Sequence, residues 1–327
     1  MGTQDAATTG KRSLPILRPS GRLQLQEYAL VGVVGLILIV GAILEPDTFL
    51  TSDNMLNVLR QASVVGVLAI GMTFVIATGG IDLSVGSMVA AAAVAGGQLA
   101  DSGSVAFVLG AFAMGILLGG INASAIAFGR VVPFIATLAM FTMARGLALW
   151  LSDKTPVSLF SLDGVRWFGN GEVVGIPSAV LVFVAVAAIA WVLLNRTRYG
   201  RYVVAIGGNR EAARIAGVKV QRIVFSVYVL SGICVGISAI LLCGRLSSAS
   251  PVAGNLYELD AIAAVVIGGS SLSGGRATIV GTFLGVLTFA LIFNLLTLMN
   301  LAVEVQLVTK GLIILAAVLV QRKEQTS

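Results

Sequence analysis

Histidine is missing altogether: none occurs in the 327 residues of the chain. That removes the side chain proteins use most for acid–base catalysis near neutral pH, for proton relays and for zinc ligation. Charge is almost as scarce. Asp, Glu, Lys and Arg make up 11% of the chain, against about 25% in a soluble domain, so there is too little polar surface to cover the protein in water. The 2 cysteines, Cys234 and Cys243, fall in one apolar run. On a helix their separation is roughly 13 Å of rise, too far for a disulfide. They read as small apolar core residues, and a disulfide scaffold is excluded. With no histidine and no metal-ligand cluster, no metal site or cofactor is expected, and enzyme chemistry has nothing to work with.

What the chain does have is apolar sequence in long runs. Hydrophobic residues reach 57% and the mean hydropathy is +0.99, which makes lipid the expected solvent. Crossing a bilayer takes about 20 apolar residues in a helix. Candidates are 28–44, 63–81, 83–100, 104–128, 131–151, 176–194, 223–243, 277–298 and 305–320. These runs are apolar on all sides, without the alternation of a membrane strand, so the expected fold is an all-α polytopic helical bundle. A tenth stretch, 259–269, is only eleven residues long. At roughly 16 Å of helix it suits a broken or re-entrant segment, shielded by protein or a water-filled cavity. The expected organisation is a tail over 1–27 with no cleavable signal region, a membrane domain over 28–320, and a tail over 321–327.

The net charge of +6 is explained by where the basic residues lie. With the N-terminus inside and 259–269 counted as a crossing, fifteen of the 21 basic residues face the cytoplasm: Lys11, Arg12, Arg18, Arg22, Arg130, Arg276, Arg322, Lys323 and seven in the loop 195–222. Four, Arg60, Lys154, Arg166 and Arg245, lie outside. The positive-inside rule favours this arrangement, with both termini cytoplasmic. It also leaves no surplus for nucleic-acid binding.

Gly79-Gly80-Ile81-Asp82-Leu83-Ser84-Val85-Gly86 and Gly268-Gly269-Ser270-Ser271-Leu272-Ser273-Gly274-Gly275 share the pattern G-G-x-x-L-S-x-G. Glycine-interrupted helices in matching positions mark many transporter folds, so an internal repeat is possible. In the loop 195–222, Gly207 and Gly208 are expected to break the preceding structure. Asn209 is a good N-cap for a short helix over Arg210–Ala216, Glu211 and Arg214 can pair, and Gly217 is a ready C′ residue.

That loop carries a resemblance. Glu211-Ala212-Ala213-x-x-x-Gly217 looks like the E-A-A-x-x-x-G element with which membrane subunits of ABC importers contact their ATPase. Gly208-Asn209-x-x-Ala212-Ala213-x-x-x-Gly217, Gly71–Ser87 and Ile267–Arg276 followed by Gly281-Thr282 are similar to permeases for ribose and related monosaccharides. The Leu-Pro pair that follows the glycine in other importer classes is absent. The resemblance implies a pore-forming permease subunit of the bacterial cytoplasmic membrane that moves a monosaccharide or polyol by alternating access. It also implies cytoplasmic ATPase subunits docking at Gly208, Asn209, Arg210, Glu211, Ala212, Ala213, Arg214 and Gly217, an extracytoplasmic sugar-binding protein, and a second permease copy, as a homodimer. No ATP site of its own is expected. Gly269–Arg276 has two glycines of a Walker A but Gly-Arg where Lys-Ser/Thr is needed.

Polar residues between or within spans are the candidates for gating or for the solute path. Asp82 can cap a helix starting at Leu83 or take part in gating; Ser84, Ser271 and Ser273 divide in the same way. Asn122 and Asn294 suit interhelical hydrogen bonds or a polar cavity. Arg145 and Lys310 are expected to snorkel to the headgroups, and Gly115, Gly119 and Gly120 to allow close helix packing. A branched-chain amino acid permease is the nearest rival. An ion-coupled transporter is another, with only Asp82 and Asp260 as coupling carboxylates. The topology is testable with single cysteines at Gly208 and Lys154 in a protein lacking Cys234 and Cys243. An impermeant thiol reagent added to intact cells should label position 154 alone, and labelling at 208 would refute the orientation.

Overall fold

The computed structural model describes residues 21–326, and side chains over 28–319. Lys11, Arg12 and Arg18 of the expected N-terminal tail fall outside the described residues, as do the side chains of Arg22, Arg322 and Lys323. The helices bounding the membrane domain run past the expected limits: α1 is Gly21–Leu44 and α13 is Val303–Thr326.

α2 (Ser52–Ala77) is the axis of the molecule. Thr51 caps it, its hydroxyl accepting from the Asn54 amide at 3.4 Å, and from Ala62 onward nearly every side chain is buried. α10 (Val220–Leu246) packs against it. In α2 and α10, 78% and 61% of the most apolar window is covered by protein, whereas α4 (Ser104–Ala127), α5 (Pro133–Leu151) and α7 (Ser178–Arg196) reach 28% each. The first two therefore need apolar residues all round for the core, and the last three need them to face lipid. α12 (Ile279–Leu298) completes the 6 described helices long and apolar enough to cross a membrane. α1 lies against α12.

Two helices stop half-way. α3 (Val85–Gly97) has 13 residues and α11 (Tyr257–Ile267) has 11, roughly 20 and 16 Å at 1.5 Å per residue. The span expected over 83–100 is thus a second half-length helix. Its sequence is rich in alanine, but Gly96, Gly97 and Gln98 end it, and a 3₁₀ turn at Ala100–Ser102 follows. The N-terminal ends of α3 and α11 meet inside the bundle, where a Cβ on Gly86 would overlap the Glu258 carboxylate and the Gly254 carbonyl. From there α3 runs to the face holding Val157 and Ala249, and α11 to the face holding the 195–222 loop. The two G-G-x-x-L-S-x-G segments are not placed alike: one precedes the half-helix α3, the other follows the half-helix α11.

Among the described residues, β-structure is confined to the face opposite the loop. β1 (Val157–Ser158) pairs with β4 (Ser248–Ala249), and β2 (Glu172–Val173) with β3 (Ile176–Pro177). The amphipathic α6 (Asp163–Asn170) seats Gly169 against the backbone of α10 at Gly244 and Arg245.

The most extensive helix contact among the described residues joins α4 and α10. A Cβ on Gly115 would lie 2.8 Å from the Gly236 nitrogen, and one on Gly119 would lie 2.8 Å from the Gly232 Cα. Small residues four apart on both helices let the backbones touch, as in other membrane helix pairs. Gly120 departs from the expected face, since nothing lies within 4 Å of its Cβ position. Gly119→Leu should therefore wedge the helices apart and lower the melting temperature of the detergent-solubilised protein, a cost of about 1–3 kcal/mol or more for overpacking. Gly120→Leu should leave it unchanged, and equal melting of the two variants would refute this packing.

Candidate functional site

The loop after α7 is two helices. Thr197 starts α8 (Arg198–Gly208): its hydroxyl accepts from the Gly200 amide at 3.3 Å and donates to the Leu193 carbonyl at 2.6 Å. Gly207 and Gly208 do not break α8 as expected; they form its last turn, and the break falls at Asn209. Asn209 is extended (φ −157°) and its Oδ1 accepts from the Ala212 amide at 2.9 Å, capping α9 (Arg210–Ile215). Gly217 has φ +83°. The amides of Gly217 and Val218 donate to Arg214 and Ala213 carbonyls at 3.0 Å each, the double bond of a Schellman stop. Both ends of the short helix are thus satisfied in the way the residue types predict.

α9 is a knob. Arg210, Glu211, Ala212 and Arg214 are exposed, and Ile215 leaves 78% of its surface uncovered. Arg214 clasps Glu211 at 2.5 Å and holds its carboxyl below the usual range, through that hydrogen bond first and its charge second. Ala213 alone faces inward, at 6% exposure. A groove beside α9 is lined by Arg130, Arg210, Arg214, Lys219 and Arg222 against the one acid Glu211, so its field is basic.

Beneath the knob the three glycine motifs meet. A Cβ on Gly207 would overlap the Ala77 carbonyl and the Gly275 nitrogen, and one on Gly274 would lie 2.8 Å from the Gly79 nitrogen. Gly275 donates to the Ala77 carbonyl at 3.1 Å, and Gly274 and Gly275 have φ of +84° and +75°. Only residues without a Cβ can be both left-handed and this close to a neighbouring backbone. α8 therefore rests directly on the end of α2 and on the α11–α12 connection. Ser271 and Ser273 belong to this connection, their hydroxyls 2.8 Å apart.

Asp82 is buried at 1% exposure. Its Oδ1 accepts from the Ser84 amide at 3.0 Å and the Ser84 hydroxyl at 2.5 Å, and its Oδ2 from the Ser231 hydroxyl at 3.3 Å. Asn122 donates to Ser84 Oγ at 2.9 Å, and Thr137 to the Ile81 carbonyl at 3.3 Å. The helix starts at Val85, later than expected, so Asp82 closes a turn ahead of it and reaches α10 through Ser231, while the same segment holds α4 through Ser84 and α5 through the Ile81 carbonyl. Asp82, Ser84 and Asn122 thus form one buried knot, away from Asn294.

Asn294 sits in the opposite half of the bundle, exchanging hydrogen bonds with Asn54 at 2.9 and 2.8 Å. It lines a cleft of ≈ 310 Å³ between α2, α11, α12 and α13. Here Lys310 departs from the snorkelling expectation: its ammonium meets Asp260 Oδ1 at 2.5 Å, with side chains 15% and 13% exposed. Arg145 is also turned inward, donating to the carbonyls of Pro251 and Ala253 at 2.7 and 3.0 Å. The reading of residues one by one missed this cleft, although an acid in a half-length helix and a lysine in the last span are a recognisable pair. Among the described residues no group of three or more potential metal ligands occurs.

Residues 54–318 match the family described as branched-chain amino acid transport system / permease component. The chain belongs to this family. It is similar to the ribose import permease protein RbsC of Bacillus subtilis, 46% identical over 292 residues covering 88% of this chain and 90% of that one. RbsC of Escherichia coli K12 is 40% identical over 306 residues, covering 92% and 95%. The galactose/methyl galactoside import permease MglC of the same organism is 38% identical, covering 88% and 91%. Among solved structures, an inward-facing metal-chelate type ABC transporter has a TM-score of 0.49 at 12% identity, covering 84% of this chain and 90% of that one. The family match and the 6 described apolar helices make this permease a multi-pass membrane protein.

The Asp82 knot yields a prediction. Asp82→Asn keeps an acceptor for Ser84, so folded yield in the membrane should stay near wild type. Asp82→Leu strands the buried donors of Ser84 and Ser231, each costing about 1–3 kcal/mol, and yield should fall sharply. Equal yields of both variants, measured by fluorescence-detected gel filtration, would refute a tying role.

Proposed function

We propose that this permease imports a monosaccharide across the bacterial cytoplasmic membrane as one of two membrane-spanning copies. In this reading separate ATPase subunits dock on α8–α9, a sugar-binding protein delivers solute to the opposite face, and both termini lie on the ATPase side. Sugar as solute is supported by whole-length similarity to permeases named for ribose and galactose. Ion coupling is weakened, because Asp82 is engaged by serine donors and Asp260 by Lys310.

The observation that carries the coupling is the stack beneath α9. A partner gripping Ile215 and the exposed side chains of α9 pushes on α8, and α8 meets the end of α2 and the α11–α12 connection backbone to backbone. No flexible side chains intervene to absorb the displacement. The helices that lead away from these contacts, α2, α11 and α12, run on through the bundle to the opposite half, where they wall the cleft, so movement at this face is carried along helices into the bundle. The permease needs no nucleotide site of its own.

Docking is tested by Ile215→Glu and Ala212→Glu. Both side chains are exposed, and surface changes shift stability by about 0.5 kcal/mol or less, so yield should hold. Co-purification of the ATPase and uptake of D-ribose, D-allose and D-galactose into vesicles carrying the whole complex should both collapse. Ala213→Glu, by contrast, should unseat α9 and lower yield. Full recruitment and uptake by Ile215→Glu and Ala212→Glu would refute the docking assignment. A wild-type complex that takes up none of the three sugars would refute the solute class.

A further inference from the structure

We infer that α11 is a lever, and that Asp260, Lys310 and Arg145 are positioning residues that make α5 and α13 move with it; this rests on the reading that ATPase subunits act through α8–α9. Charged side chains from three helices converge on the start of α11. Glu258 and Asp260 stand in its first turn. Lys310 reaches Asp260 from α13 at 2.5 Å. Arg145 reaches from α5 to the carbonyls of Pro251 and Ala253, in the turns that lead into α11. Glu258, buried at 6% exposure, adds a charge that acts on both Arg145 and Lys310. Two acids thus meet two bases, and the formal charges cancel.

The two outer helices depend on these ties. α13 begins at Val303 after a short connection, 299–302, that joins it to α12, and it rests chiefly on α11. Lys310 lies roughly 10 Å further along the helix axis, where its ammonium also stands 5.8 and 5.1 Å from the ring centres of Phe289 and Phe293 on α12. α5 packs on α3 and α4, and Arg145 is its polar tie to the α11 side. Either base could have turned to the headgroups, and both turn inward.

The ties hold because of where they lie. Lys310 and Asp260 keep 15% and 13% of their side-chain surface exposed, and separating a covered pair leaves each charge without compensation. The pair therefore stays closed while the helices move together. At its other end α11 runs into the 268–276 connection, where Gly274 and Gly275 lie against Gly207 and Gly208 of α8. A push on α8 arrives at one end of α11, and the charges at the other end pass it to α5 and α13.

The test uses the complete complex, with ATPase and binding-protein subunits, in vesicles. Asp260→Asn with Lys310→Met removes both charges at once, so neither is left unpaired in the bundle. Assembled complex and ATP hydrolysis should stay near wild type, while uptake of D-ribose, D-allose and D-galactose per ATP hydrolysed should fall roughly tenfold, or about 1.4 kcal/mol of coupling. A role in folding alone would lower the amount of complex and leave that ratio unchanged. Arg145→Gln should lower the same ratio, and Arg145→Lys, which can still donate to the two carbonyls, should restore most of it. Asp260→Cys with Lys310→Cys, in a protein with Cys234→Ala and Cys243→Ala, should also lose uptake. Joining the two thiols with a bifunctional methanethiosulfonate should bring it back, because the tie never has to open.

Movement is read without sugar. Leu109 on α4 and Leu312 on α13 are exposed, and spin labels on Leu109→Cys and Leu312→Cys in the cysteine-free protein should change separation when vanadate traps the ATPase. Adding Asp260→Asn and Lys310→Met should abolish that change. An unchanged uptake ratio in the neutral pair or in Arg145→Gln, a linked protein that stays inactive, or a label separation indifferent to the pair would overturn the lever. Loss of assembled complex in both the neutral and the cysteine pair would overturn it as well, leaving a role in folding. A wild-type complex that hydrolyses ATP and moves α13 but carries none of the three sugars would overturn the solute class and support the lever.

Discussion

A helix that ends inside a bilayer exposes amides and carbonyls that lipid cannot satisfy, and the described residues of this permease include two such helices. The N-terminal ends of α3 and α11 lie within the bundle, and much of the polar inventory of the chain is spent on the breaks beside these helices. At the break before α3, Asp82 supplies acceptors to Ser84 and Ser231, and Asn122 supports Ser84 in turn. The turns leading into α11 offer the carbonyls of Pro251 and Ala253, which take both bonds from Arg145. With 11% charged residues in the chain, placing an aspartate and an arginine here marks how costly an open break would be.

The breaks create two distinct features at opposite ends. At one end, the connections that follow α2 and α11 pack as bare backbone on the last turn of α8, with Gly207, Gly274 and Gly275 in the contact. Interfaces of this kind are stiff, because interiors at crystal-like density transmit strain instead of absorbing it. At the other end, the shortness of α11 leaves a cleft lined by amides, aromatic rings and one ion pair. The same two elements, α2 and α11, carry both features, so the exposed knob of α9 and the cleft are joined by rigid helices.

Glycine takes different roles along the chain. Gly115 and Gly119 bring α4 onto α10, fixing a peripheral helix to the axis. Gly217 terminates α9 at φ +83° with open space around it, so it shapes the knob without touching the bundle. Gly207 and Gly208 continue α8 instead of breaking it; the missing Cβ of Gly207 serves a contact with Ala77 and Gly275 and not a bend, whereas a Cβ on Gly208 would meet open space.

The all-α class, most span positions and the capped helix at Asn209–Gly217 were legible in the sequence, because each depends on local properties: run length, cap chemistry and glycine at a helix end. Three of the motif segments were visible too, but not that they touch, since 77, 207 and 275 are brought together by the bundle alone. The half-length of α3 was hidden because lipid-facing and protein-buried apolar runs look the same; Gly96, Gly97 and Gln98 end it only where the surrounding helices make room. Asp82, Ser84 and Asn122 were recognisable as polar residues in apolar sequence, yet whether they line a path or tie helices depends on what stands opposite. Lys310 and Asp260 make the same point. Each alone reads as a snorkelling cation or a stray acid, and only the placement of α13 beside α11 turns them into a pair in the wall of a cleft.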